Sequence, residues 1–171
     1  MANLDIAENL FDSWDTVSKM CKQLKKLKNL NVSESRLSFP ENEEDMVSAF
    51  SNLQTLFMGR MDYDWNQCQR NLEFMKNLQV LHIYENPITQ IPTECKVHTL
   101  VELNLGGCPL KEWSNVMKLS KLPKLQKLVG KKIKPMRVDQ IIVRPGLARG
   151  GFYTNSCVLT IFSELELRLL T

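Results

Sequence analysis

Two histidines, five cysteines, an acidic run and a run of lysines are the groups in this 171-residue chain that could do more than pack. Nucleophilic catalysis would need a Cys or Ser, a base, and a third group that orients the base. His82 lies in "LHIYEN" between Leu81 and Ile83, and His98 lies in "KVHTL"; neither has a Cys or Ser at a spacing that pairs with it. Cys21, Cys68, Cys95, Cys108 and Cys157 are odd in number, widely spaced and free of Cys-x-x-Cys, which indicates neither a disulfide framework nor a zinc site. They read as reduced, mostly buried thiols. Glu41, Glu43, Glu44 and Asp45 lack the alternating ligands and central glycine of a calcium loop. They read instead as a solvated turn or as the acidic first turn of a short helix. Gly146, Gly150 and Gly151 do not form a phosphate-cradling Gly-x-Gly-x-x-Gly. The expectation is a chain with no catalytic residues, no metal and no cofactor.

The lysines are a different matter. Residues 1–110 carry 10 basic and 15 acidic side chains, whereas residues 111–149 carry 11 and 2, so the formal net charge of +3 conceals a basic section. Lys118, Lys121, Lys124, Lys131, Lys132 and Lys134 could meet an acidic protein surface. They alternate with leucines rather than with exposed aromatics that would stack on bases, which argues against nucleic acid. No apolar run approaches the roughly 20 residues needed to cross a bilayer, and the N-terminus lacks the pattern of a signal peptide. A cytoplasmic protein is expected.

The elements that must position these residues are repeats. "LQVLHIYENPI" (Leu78 to Ile88) recurs as "LKNLNVSESRL", "LQTLFMGRMDY" and "LVELNLGGCPL", with a partial copy at "LDIAENLF" and a worn one at "LQKLVGKKI". The leading leucines Leu27, Leu53, Leu78, Leu100 and Leu125 stand 26, 25, 22 and 25 residues apart. This is the leucine-rich-repeat period, and it predicts about six turns of an α/β solenoid, a curved parallel sheet with helices on its convex side. The alternating apolar residues of each copy form a short strand facing the core. Asn9, Asn86 and Cys108 occupy the turn position where a buried polar group satisfies the backbone. Ser35 can do part of that work; Met61 cannot, so its turn should be irregular.

Between the strands, Trp14, Trp65 and Trp113 start helical patterns at matching places, with Val17, Cys68 and Val116 three residues on. They read as anchors of the convex layer. Asp64 with Gln67 reads as a capping box, and Pro123 as the end of the third such helix.

With the inward pairs assigned, the residues between them face the concave side. Asn31, Phe57, Val80, His82, Tyr84 and Asn104 are the candidate contact residues, because adjacent aromatic rings rimmed by polar groups suit a protein-binding hot spot. A generic adaptor or regulatory subunit, for example of a phosphatase, would use the same face. The repeats are assigned to residues 1–135. Residues 136–171 have no repeat spacing and form a tail, partly disordered or a C-terminal cap. The chain begins almost at its first strand residues, which suggests a fragment or shortened product of a longer protein.

The segment "LDIAENLFDSWDTVSKMCKQLKKLKNLNVSESRLSFP" resembles the start of the leucine-rich-repeat region of the tubulin-folding cofactor E family. The resemblance rests on Leu4 to Asn9, Ser13 to Asp15, Leu30 to Glu34 and Leu37 to Pro40, and more loosely on "LSKLPKLQKL"; it covers roughly residues 3–130. It implies binding of α-tubulin, a role in folding or taking apart the tubulin heterodimer, and a cytoskeleton-associated location in the cytoplasm. The family's cytoskeleton-associated and ubiquitin-like domains have no counterpart in these 171 residues.

Overall fold

The computed structural model describes residues 2–41, 43–119, 121–130, 140–145 and 157–162. Six three-residue strands form one parallel sheet: β1 (Asn3–Asp5), β2 (Asn29–Asn31), β3 (Thr55–Phe57), β4 (Val80–His82), β5 (Glu102–Asn104) and β6 (Lys127–Val129). Their register stacks equivalent residues without a slip, with Leu4, Leu30, Leu56, Leu81, Leu103 and Leu128 forming one continuous row. All but Leu4 in that row are buried. The central residue of each strand faces the core and its two neighbours face out, as period-two geometry requires. This is a leucine-rich-repeat solenoid. Two further strands, β7 (Gln140–Pro145) and β8 (Cys157–Phe162), continue the sheet antiparallel and so are not additional turns. The expected domain boundary at residues 135–136 lies outside the described residues.

Helices α1 (Trp14–Cys21), α2 (Glu43–Phe50), α3 (Trp65–Leu72) and α4 (Trp113–Leu119) follow β1, β2, β3 and β5. Trp14 and Trp65 are buried, and Trp14 meets Phe50 edge to face at 5.8 Å. Three residues of the acidic run, Glu43, Glu44 and Asp45, form the first turn of α2 and complement the helix dipole, while Glu41 precedes the helix. Helix α3 has the anticipated capping box between Asp64 and Gln67. Helix α4 ends at Leu119, four residues before Pro123, so the proline is not its immediate stop.

Asn86 accounts for the turn chemistry. Its Oδ1 accepts from the Met61 and Tyr63 amides at 3.0 and 3.2 Å, and its Nδ2 donates to the Met58 and Ile83 carbonyls at 2.7 and 3.1 Å. The asparagine of one turn therefore completes the preceding turn, the one in which Met61 replaces the polar residue. That turn is irregular, as expected: it holds two residues of positive φ, Arg60 at 53° and Asp62 at 63°, where the turns of Glu34 and Glu85 hold one each. Cys108 acts similarly through a thiol contact to the Ile83 carbonyl. Two expectations need correction. Asn9 is exposed rather than buried, although its Nδ2 does donate to the Ala7 carbonyl of its own turn at 3.1 Å; among the described residues no earlier turn packs over it. The Ser35 hydroxyl is buried without a hydrogen-bond partner among the described residues.

Candidate protein-binding face

The outward residues form rows across the strands. One row runs Asp5, Asn31, Phe57, His82, Asn104, Val129; the other runs Asn3, Asn29, Thr55, Val80, Glu102, Lys127. All six anticipated contact residues lie on this side of the sheet, and each is half-buried rather than fully exposed. The cause is mutual packing. The rings of Phe57 and His82 stack with centroids 4.4 Å apart and planes 8° from parallel. Tyr84 lies over Gly59: a β-carbon there would fall 2.2 Å from the tyrosine ring, so the glycine is what admits it.

Asn104 fixes the protonation of His82. The Gly106 amide donates to Asn104 Oδ1 at 2.9 Å, which orients the carboxamide and leaves its Nδ2 facing His82 Nδ1 at 3.2 Å. An NH2 group only donates, so Nδ1 must accept and the ring proton sits on Nε2. Burial lowers the histidine's pKa from 6.5 and nearby Lys127 lowers it further, with Glu102 opposing. Neutral histidine is the form that can both stack on Phe57 and accept from Asn104. Lys127 pairs with Glu102 at 2.9 Å beside it.

The other end of the face is polar. Asn31 Oδ1 accepts from the Ser33 amide at 3.1 Å while its Nδ2 donates to Asp5 Oδ2 at 3.2 Å, and Asp5 Oδ1 accepts from the Ala7 amide at 3.0 Å. An open depression of about 780 Å³ lies here, lined by residues of β1 and β2 with Thr55 and Phe57 of β3. Ser33, two residues beyond Asn31, is buried, with its hydroxyl accepting from the Gly59 amide.

Three of the six candidate lysines occupy another surface. Lys118 lies on helix α4 and donates to the Ile91 carbonyl at 2.7 Å, a structural bond that the charge pattern did not reveal. Lys121 and Lys124 are exposed just beyond that helix, and Lys131, Lys132 and Lys134 lie outside the described residues. Lys118, Lys121 and Lys124 are therefore not part of the concave face, whereas Lys127 of the same basic section stands on it. Cys21, Cys68, Cys95 and Cys108 are all buried free thiols, and burial raises their pKa values, to about 12 for Cys21 and about 11 for Cys95 and Cys108. Among the described residues no group of three potential ligands could hold a metal ion, and no helix is long and apolar enough to cross a membrane.

Sequence reasoning missed Tyr63. Its hydroxyl donates to the Leu37 carbonyl and accepts from Trp14 Nε1 at 3.2 Å, tying three successive turns together. Its ring stacks with Phe39, over which Arg70 lies at 4.5 Å. The available signal was a hydroxyl-bearing aromatic two residues after the asparagine-equivalent position, where Phe11, Leu37, Ile88 and Leu110 stand in other turns.

No protein-family model matches the chain. Among curated proteins it is similar to tubulin-folding cofactor E of Arabidopsis thaliana, 28% identical over 164 residues, covering 91% of this chain and 30% of that protein. It is also similar to tubulin-specific chaperone E of Xenopus laevis, at 25% over 126 residues, and of Homo sapiens, at 29% over 128 residues. Those matches cover 73% and 74% of this chain and 24% of each relative. A match to 91% of the chain reaches past residue 135, so the resemblance is broader than the repeats that suggested it. The chain spans 24–30% of the length of these relatives, and it resembles that part of tubulin chaperone E.

Proposed function

We propose that this chain is a protein-binding repeat module that holds tubulin, specifically α-tubulin, on its concave face during tubulin folding in the cytoplasm, in association with the cytoskeleton. The observation that carries the reading is the Phe57–His82 stack with Tyr84 beside it, half-exposed rings on a sheet otherwise faced mostly by polar side chains. Rings already held in place lose little conformational freedom when a partner covers them, which is how a few residues come to dominate an interface. The names of the similar proteins supply the partner class. The reading involves no catalytic step: His82 is engaged by a ring stack and an amide. The partner is a protein, not nucleic acid or a membrane surface.

Capture of purified tubulin by the immobilised chain tests this. The parent should retain tubulin, and Phe57→Ala with Tyr84→Ala should weaken retention by roughly thirtyfold or more, the equivalent of a hot-spot loss of about 2 kcal/mol. Lys121→Ala with Lys124→Ala should leave it within about threefold, as solvated charges on another surface contribute little. A folded parent that retains no tubulin would sink the proposal.

A further inference from the structure

We infer that the depression across β1, β2 and β3 receives an arginine side chain of the protein partner, its guanidinium lying on Phe57 and hydrogen-bonding to Asp5. The inference deepens the reading of the concave face as a protein-binding surface and rests on it. Three observations carry it.

Phe57 has two faces, and His82 covers the one toward β4. The depression is lined by Phe57 but by no residue of β4, so the opposite ring face forms its wall. Asp5 is the only charged residue in the lining, and no cation pairs with it among the described residues. Its two oxygens accept one bond each, from the Ala7 amide and Asn31 Nδ2, and each carboxylate oxygen can accept another. Asp5, Asn31 and Phe57 stand in one row on adjacent strands. Two strand spacings put Asp5 and Phe57 roughly 10 Å apart. That separation matches a cation up to ~6 Å from a ring centre and ~4 Å from a carboxylate. Asn31 forms the floor between them, and its carboxamide is held at both ends.

Of the two basic side chains, arginine suits this shape. Its planar guanidinium stacks on a ring and presents N–H groups at its edge, while a lysine ammonium is a compact, strongly hydrated point charge. The polar acceptors are also fixed in advance, since Asn3 Oδ1 already holds Asn29 Nδ2 at 2.6 Å beside Asp5.

The probes are acetyl-Gly-Arg-Gly-amide and its lysine and citrulline counterparts, titrated into the full 171-residue chain and followed by NMR. The arginine peptide should saturably shift the side-chain amides of Asn3, Asn29 and Asn31. Citrulline has nearly the same shape without the charge, and should bind at least about fivefold more weakly, a ratio corresponding to an exposed cation–π contact. Asp5→Asn and Phe57→Leu should each weaken the arginine peptide about threefold or more, with the remaining spectrum unchanged. Absence of a saturable shift, shifts elsewhere on the chain, or equal binding of the citrulline or lysine peptide would each overturn the inference, and those arms need no variant to fold. Arginine binding without tubulin capture would leave this inference standing and remove the tubulin reading. Tubulin capture with no preference for arginine would do the reverse.

Discussion

Replacing Asn86 with alanine should cost more than any other single substitution in the turns. The side chain is buried and makes four hydrogen bonds, two to amides and two to carbonyls, three of them in the preceding turn. Removing it strands the Met61 and Tyr63 amides and the Met58 carbonyl in the interior and leaves the Ile83 carbonyl only the Cys108 thiol. Each net bond is worth about 1 kcal/mol, and each buried group left without a partner costs about 1–3 kcal/mol. The four losses are not additive, because local relaxation lets some groups find water, so a total of about 3–4 kcal/mol is expected. Against a typical domain stability of 5–15 kcal/mol that is a large fraction. Urea denaturation should show a lower midpoint, and hydrogen exchange should show faster exchange specifically at the Met61 and Tyr63 amides. Asn86→Asp keeps the two acceptor bonds and loses the two donor bonds, so those amides should stay more protected than in the alanine variant. A cost below about 1 kcal/mol, or unchanged exchange at both amides, would refute the view that one turn completes the one before it.

Other outcomes follow from the same structure. Tyr63→Phe removes a hydroxyl that links three turns and should cost about 1–3 kcal/mol, read by thermal melting. Burial, the first cause, pushes the Tyr63 pKa from 10.0 up to about 12; its stabilising contribution is thus complete below pH 10 and lost as pH rises toward 12. Tyrosinate absorbance should show a late ionisation that vanishes in Tyr63→Phe. His82, lowered below 6.5, contributes stability above that pH and loses it as pH falls through its folded value; its ring-proton NMR titration should lie below 6.5 and move up in Asn104→Ala, which removes a donor to the neutral ring. Gly59→Ala should displace the Tyr84 ring and shift its NMR signals while the Phe57–His82 stack keeps its own.

The strands and the inward leucines were legible because a repeat states its rule several times: Leu30, Leu56, Leu81 and Leu103 each confirm the others. The same register put Phe57 and His82 in one row. It could not show that their rings stack, because adjacency follows from backbone spacing whereas ring orientation depends on rotamers chosen in three dimensions. It also could not show which turn Asn86 serves, since the two turns are equally close along the solenoid. Lys118 illustrates the limit for charge patterns: a lysine in a basic run reads as a partner contact, whereas its ammonium donates to the Ile91 carbonyl. Tyr63 was passed over because a lone hydroxyl carries no spacing signal.

The most direct measurement is hydroxyl-radical footprinting of the full chain with and without purified tubulin, which reads the solvent access of individual side chains. Phe57, His82 and Tyr84 should become protected while Val47, exposed on helix α2, should not. Protection confined to the helix side, or none at a tubulin concentration that saturates capture, would contradict the proposed concave binding face.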